Sequence, residues 1–127
     1  MGLDMWLDKR NVYESREKNI EIAYWRKANV IHRFFTKYIK DDVNCKEVPI
    51  EEHEIEELRE ICKKVLDGTK DGRTELPTME GFFFGNTEYK GSYRYDLEQT
   101  VEMLDRAYAK GLLPLKENER LYYFAWY

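Results

Sequence analysis

Long apolar runs are missing from this 127-residue chain, and so are the ingredients of several common site types. No stretch approaches the roughly 18 apolar residues of a membrane-crossing helix, which excludes that class. The start, Met1-Gly2-Leu3-Asp4-Met5-Trp6, has neither the basic region nor the apolar core of a secretory leader. Gly2 invites the thought of myristoylation, but Trp6 stands where that motif wants Ser or Thr. The expected compartment is the cytoplasm. Cysteines number only two, Cys45 and Cys62, and histidines only two, His32 and His53. Neither set has metal-ligand spacing, so no metal site, no cofactor and no disulfide framework is expected. Cys62 falls on an apolar helical stripe, where a free thiol acts as a small hydrophobe. Cys45 lies in a polar connection and reads as a bystander.

What is present points to one folded domain spanning residues 1–127. Apolar residues make up 43% and aromatics 15%, which argues against disorder despite 36% charged residues. The net charge of −4 hides a segregation. Residues 22–40 carry five cations (Arg26, Lys27, Arg33, Lys37, Lys40) and no anion, whereas residues 41–67 set ten acids against four bases. The acidic total disfavours general nucleic-acid binding. The local basic stretch is suited to a small anion, or to lying against the acidic helix that follows.

Period-two alternation of Leu3, Met5 and Leu7 with Asp4, Trp6 and Asp8 predicts a strand, followed by a polar loop over residues 11–19. A first helix is expected over residues 20–39, with Tyr24, Ala28, Ile31, Phe35, Tyr38 and Ile39 on its core face. Asp41-Asp42-Val43-Asn44 breaks it. A second helix over residues 50–66 buries Ile55, Leu58, Cys62 and Val65. Acids at its start (Glu51, Glu52, Glu54), Lys63 and Lys64 at its end and Gly68 as its stop suit the helix dipole and a C-terminal cap. Gly81-Phe82-Phe83-Phe84-Gly85 reads as a short strand. A third helix covers residues 92–109, with Leu97, Val101, Leu104 and Tyr108 buried, and residues 121–127 form a β-prone aromatic end. The expected architecture is α+β: a small three-stranded, mainly antiparallel sheet with three helices, in the order β-α-α-β-α-β.

Several segments form a connected set over nearly the whole chain. They are Met1-Gly2-Leu3-Asp4-Met5-Trp6-Leu7, Tyr24-Trp25-Arg26-Lys27-Ala28-Asn29 with Ile31-His32, and Leu76-Pro77-Thr78 leading into Gly81 to Tyr89. Asp96-Leu97-Glu98 and the aromatic terminus complete it. The set resembles a family of short proteins encoded by bacteriophages and prophages. That resemblance implies context and no residue roles: an accessory phage product acting in a bacterial cytoplasm. Such products often antagonise host defences, either by gripping a defence protein or by sequestering a nucleotide signal.

Two constellations carry candidate chemistry. Trp25, Asn29, His32 and Thr36, spaced i, i+4, i+7 and i+11, make a helical stripe beside Tyr24, Arg26, Lys27 and Arg33. Rings for stacking, an amide and imidazole for hydrogen bonds and guanidinium forks for phosphate suit a nucleotide. The same residues also admit a purely structural reading, as boundary packing with satisfied polar groups. The second constellation is Gly85-Asn86-Thr87, just before the third helix, where backbone N–H groups and a positive helix end converge. It matches no P-loop or dinucleotide fingerprint, and a simple bulge and turn would explain it equally. No nucleophile–base–orienter signature is present, so the reading leans away from an enzyme.

The expected function is therefore sequestration, without turnover, of a small nucleotide-derived anion that blunts a host defence. Its ligand-binding residues are Tyr24, Trp25, Arg26, Lys27, Asn29, His32, Arg33, Asn86 and Thr87. The rival is a protein-binding inhibitor of a host defence complex, of the anti-CRISPR type, using the acidic helix or an aromatic sheet face. Both faces of the last strand are apolar or amphipathic, so the sheet face away from the helices needs a cover: another subunit, a host protein or the chain's own loops.

Overall fold

Alternating apolar and polar residues make a strand where one face meets a core and the other meets water. In the computed structural model, which describes residues 2–81 and 84–127, the first such strand is β1 (Asp4–Asn11). After a 3-10 turn at Arg16–Lys18 come β2 (Ile20–Arg26), α1 (Asn29–Thr36), β3 (Glu47–Ile50) and α2 (Glu52–Leu66). Then follow α3 (Gly72–Glu75), α4 (Gly91–Ala109) and β4 (Glu119–Trp126). The strands form one antiparallel sheet in the order β2-β1-β4-β3. The expectation of three strands and three helices is thus overturned. The fold is α+β, with four strands and four α-helices among the described residues.

The helix expected over residues 20–39 is two elements. Its first part is rich in β-branched and aromatic residues (Ile20, Ile22, Tyr24, Trp25), and it supplies β1 with a neighbour. Ala23 and Trp25 are buried while Tyr24 and Arg26 face outward, a strand alternation. Lys27 then takes a left-handed conformation (φ 55°) that ends the strand, and α1 starts two residues later. Strand β3 was not expected at all. Pro49 is tolerated there because β3 is an edge strand, whose outward N–H positions need no ladder partner.

The strand expected over residues 81–85 is not found where it is described. Gly81, Phe84 and Gly85 lie in an irregular connection, while Phe82 and Phe83 lie outside the described residues. Phe84 nonetheless buries its ring in the core.

Helices α2 and α4 and strands β1 and β4 follow the sequence expectation to within three residues at each end. Helix α2 opens with a reciprocal cap in which the Glu51 N–H donates to the Glu54 carboxylate at 2.8 Å. Gly68, with φ 85°, closes it. Ile55, Leu58, Cys62, Leu97 and Leu104 all have no exposed surface. They meet Leu3, Met5, Leu7, Leu121 and Tyr123 from the inner sheet face in one core cluster. Truncating any one of these leucines to Ala costs about 2–5 kcal/mol.

The outer sheet face is aromatic and charged. Trp6 lies 5.4 Å from Tyr24 and 5.8 Å from Phe124, ring centre to ring centre. Its cover comes in part from the chain's own loop. The Arg16 guanidinium lies 3.9 Å above the Phe124 ring, and Asn19 donates to Asp8 at 3.2 Å. Arg10 stacks on Tyr122 and donates to both Glu47 oxygens, at 2.6 and 3.1 Å. The other half of this face keeps Trp126 exposed at 59%. Among the described residues, no helix is long and apolar enough to cross a membrane.

Candidate functional site

The stripe of Trp25, Asn29 and His32 does not face a hollow. Trp25 is on β2 and points into the core, where its Nε1 donates to the Thr100 hydroxyl at 2.8 Å. Asn29 opens α1 and is buried. Its amide nitrogen donates to the carbonyls of Phe84 (3.2 Å) and Asn86 (2.9 Å), and its oxygen accepts from the Met79 N–H at 3.0 Å. That side chain is a staple holding the 79–86 connection to α1. His32, 1% exposed, shares a 2.6 Å hydrogen bond between its Nδ1 and the Tyr123 hydroxyl. Burial pushes its pKa down to about 4, so the ring is neutral at pH 7. Each of these three polar groups is satisfied internally, and none is presented to a ligand.

Other expected residues are dispersed. Tyr24 lies on the outer sheet face and donates to Asp4 at 2.6 Å. Arg33 points away from the core to the Thr78 carbonyl at 2.9 Å, and Thr87 offers its own carbonyl to the Thr78 hydroxyl at 3.0 Å. A helix spanning 20–39 would have placed these side chains together. With residues 20–26 in a strand, the period changes from 3.6 to 2 and the turn at Lys27 re-aims everything after it.

Three of the expected residues do converge. Arg26, Lys27 and Asn86 line an open cleft of about 510 Å³ together with Gly85, Gly91, Ser92, Tyr95 and Asp96. That volume falls within the roughly 300–1,000 Å³ typical of small-ligand sites. Local structure builds it. Gly85 has φ +93°, and a Cβ there would sit 3.1 Å from both the Lys27 Cβ and the Lys27 carbonyl oxygen. Only glycine lets the connection lie this close to the end of β2. Asn86 turns the chain, its side chain accepting from the Glu88 N–H at 2.7 Å. Helix α4 then begins at Gly91.

The electrostatics favour an anion. The first turn of α4 contains no acid, and Lys90 at its N-cap provides no side-chain bond to the free N–H groups. A 19-residue helix therefore directs an uncompensated positive end at the cleft. Lys27 has no ion-pair partner among the described residues, and the Arg26 guanidinium lies 3.7 Å from Asp4. Tyr95, 61% exposed, offers a ring face. Asp96 is the exception in sign. Burial raises its carboxyl pKa to about 7, so near neutrality it is only partly ionised and can donate a hydrogen bond when protonated.

Sequence reasoning missed Tyr95 and Asp96. Their signal was available: both sit off the Leu97–Leu104 buried stripe and within two turns of the start of α4. Among the described residues, no group of three or more His, Cys, Asp or Glu is placed to hold a metal. Cys62 is buried and its pKa is pushed up to about 12, which leaves its thiol unreactive. No family model matches this chain, and no curated protein or solved structure does either.

Proposed function

We propose that this protein is a phage accessory product, acting in the bacterial cytoplasm, that retains a small nucleotide-derived anion without turning it over. The site is the cleft at the start of α4. Lys27 and Arg26 supply charge, the N–H groups of residues 91–93 receive phosphate oxygens, and Asn86 and Tyr95 contact the remainder of the ligand. One observation carries this reading: Lys27, Asn86 and the uncapped, acid-free N-terminus of α4 line one cleft. The phage context rests on the resemblance of the sequence segments described above.

Thermal-shift and calorimetric titration with cyclic dinucleotides and ADP-ribose derivatives, followed by chromatography of the recovered ligand, tests the reading. Stoichiometric binding of unchanged ligand, lost in Lys27→Glu, is the expected result. No binding of any of them at millimolar concentration removes it, and conversion of the ligand makes the protein an enzyme instead.

A second reading is favoured by the exposed rings of Trp126 and Tyr24 on the outer sheet face. In it the protein is an inhibitor that docks on a host defence complex through that face, since Trp and Tyr concentrate binding energy at interfaces. The acidic helix serves this less well. Glu52 already accepts from the Leu115 N–H at 2.6 Å, and Glu60 lies 4.0 Å from Lys64.

A further inference from the structure

One edge of the sheet has unspent hydrogen-bonding capacity beside a groove. The Lys27 N–H donates to the Leu3 carbonyl at 2.7 Å, which fixes which residues of β2 bond to β1. In an antiparallel ladder every second residue exchanges both backbone bonds with its partner. Trp25 (opposite Met5) and Ala23 (opposite Leu7) therefore bond to β1. The N–H and C=O of Tyr24 and Arg26 point the other way. Because β2 is terminal in the order β2-β1-β4-β3, no strand lies there among the described residues. The opposite edge is blunted by Pro49 in the four-residue β3. Strand β2 contains no proline, and its one irregularity lies near Ile22, before this segment.

Alongside this edge runs a groove of about 280 Å³ between β2 and the second half of α4. Ile22, Met103, Ala107 and Leu112 line it, with Arg106 on α4, Lys110 at the α4 C-cap and Glu21 on β2. Arg106 is paired with Glu102 at 2.7 Å, whereas Lys110 has no ion-pair partner among the described residues.

We propose that β2 is a docking edge for an extended peptide segment of another protein. The segment adds a fifth strand, places an apolar side chain in the groove and sets an acidic one against Lys110. Main-chain bonds to Tyr24 and Arg26 supply affinity, and the groove supplies selectivity. A second copy of this chain is the poorer occupant. Ala23 and Trp25 of its own β2 are already buried in its own core, which leaves Ile20 and Tyr24 as that strand's exposed apolar side chains. This inference does not rest on the anion reading, although Arg26 serves both through different atoms.

Panning a displayed library of random peptides about twelve residues long against the intact chain tests it. Expected are enriched peptides with apolar residues at alternate positions and an acid. Their addition should slow hydrogen exchange at the Tyr24 and Arg26 amides at least about tenfold. Lys110→Glu should weaken them about tenfold. Tyr24→Pro, which removes an outward N–H, should abolish binding. The proposal is overturned if nothing is enriched, or if enriched peptides leave those two amides unprotected. It is likewise overturned if the two amides become protected with rising protein concentration alone, which would mean self-association. The amide readout on the unmodified chain decides the matter even if Tyr24→Pro does not fold.

Discussion

The imidazole of His32 and the phenol of Tyr123 meet at 2.6 Å in the centre of the core, one from α1 and one from β4. The rings of Phe84 and Tyr127 stand 5.2 and 5.5 Å from the same imidazole. This bond joins the helical layer to the sheet, and it uses the histidine that the sequence offered as a ligand-binding group.

Acid sensitivity follows from that burial. In the unfolded chain His32 titrates near 6.5, and in the folded protein near 4. Between these values the unfolded state takes up a proton that the folded state refuses, so stability is full above pH 6.5 and is lost as pH falls towards 4. The loss is about 3 kcal/mol. Measured by urea denaturation from pH 7.5 down to 4, the stability of the unmodified chain relative to His32→Gln should fall accordingly, because the opposing contribution of Asp96 is common to both. An unchanged profile in that variant would place the acid sensitivity elsewhere.

Asn29 separates a structural role from a ligand-binding one. Asn29→Ala leaves the Met79 N–H and the Phe84 and Asn86 carbonyls without their partner, at a cost of about 1–3 kcal/mol for each buried group. Denaturation should show a loss of at least about 2 kcal/mol. Crosslinked or ligand-saturated protein should retain normal stoichiometry, because the side chain does not touch the cleft. Normal stability with lost binding would reverse the assignment.

Gly85→Ala tests the cradle. The φ of +93° and the 3.1 Å approach to Lys27 both penalise a side chain. The expected cost is about 1–3 kcal/mol in unfolding free energy. Anion affinity should fall with it as the connection moves away from Lys27. Equal affinity in the folded variant would show that the connection does not shape the site.

Asp96 gives the cleft a pH dependence of definite sign. Its folded pKa of about 7 exceeds the unfolded value near 3.8. The cost of burying its charge is absent at pH 4, grows as pH rises and is complete above about 7. Asp96→Asn should therefore stabilise the protein at pH 8 and make no difference at pH 4. Anion affinity in the unmodified chain should rise as pH falls through 7, because protonation removes the one negative charge that lines the cleft among the described residues. In Asp96→Asn, calorimetry should show that dependence gone.

Legibility in the sequence tracked local sufficiency. Helix α2 was readable because spacing, capping acids and a terminal glycine all agree, and α4 because its apolar spacing ends at a glycine. Residues 20–26 were misread because Tyr24, Ala28, Ile31 and Phe35 also fit a helical stripe, which holds only from Asn29 onward. Whether Ile20–Arg26 pairs as a strand depends on β1 being available beside it, a contact with no local signature. Half of the cleft was legible for the same reason in reverse. Lys27, Asn86 and the start of α4 announce themselves through charge, turn chemistry and helix polarity, whereas their meeting depends on Gly85 packing on Lys27.

By itself the sequence determined the amphipathic segments, the helix ends and the clustering of cations between residues 22 and 40, because these depend on neighbours within one or two turns. Only the tertiary structure decided that Trp25, Asn29 and His32 serve the interior while Arg26 and Lys27 reach a cleft. Strand pairing between β1 and β2 sets that division: a ladder partner fixes which side of the backbone each residue takes, and no local preference carries that information.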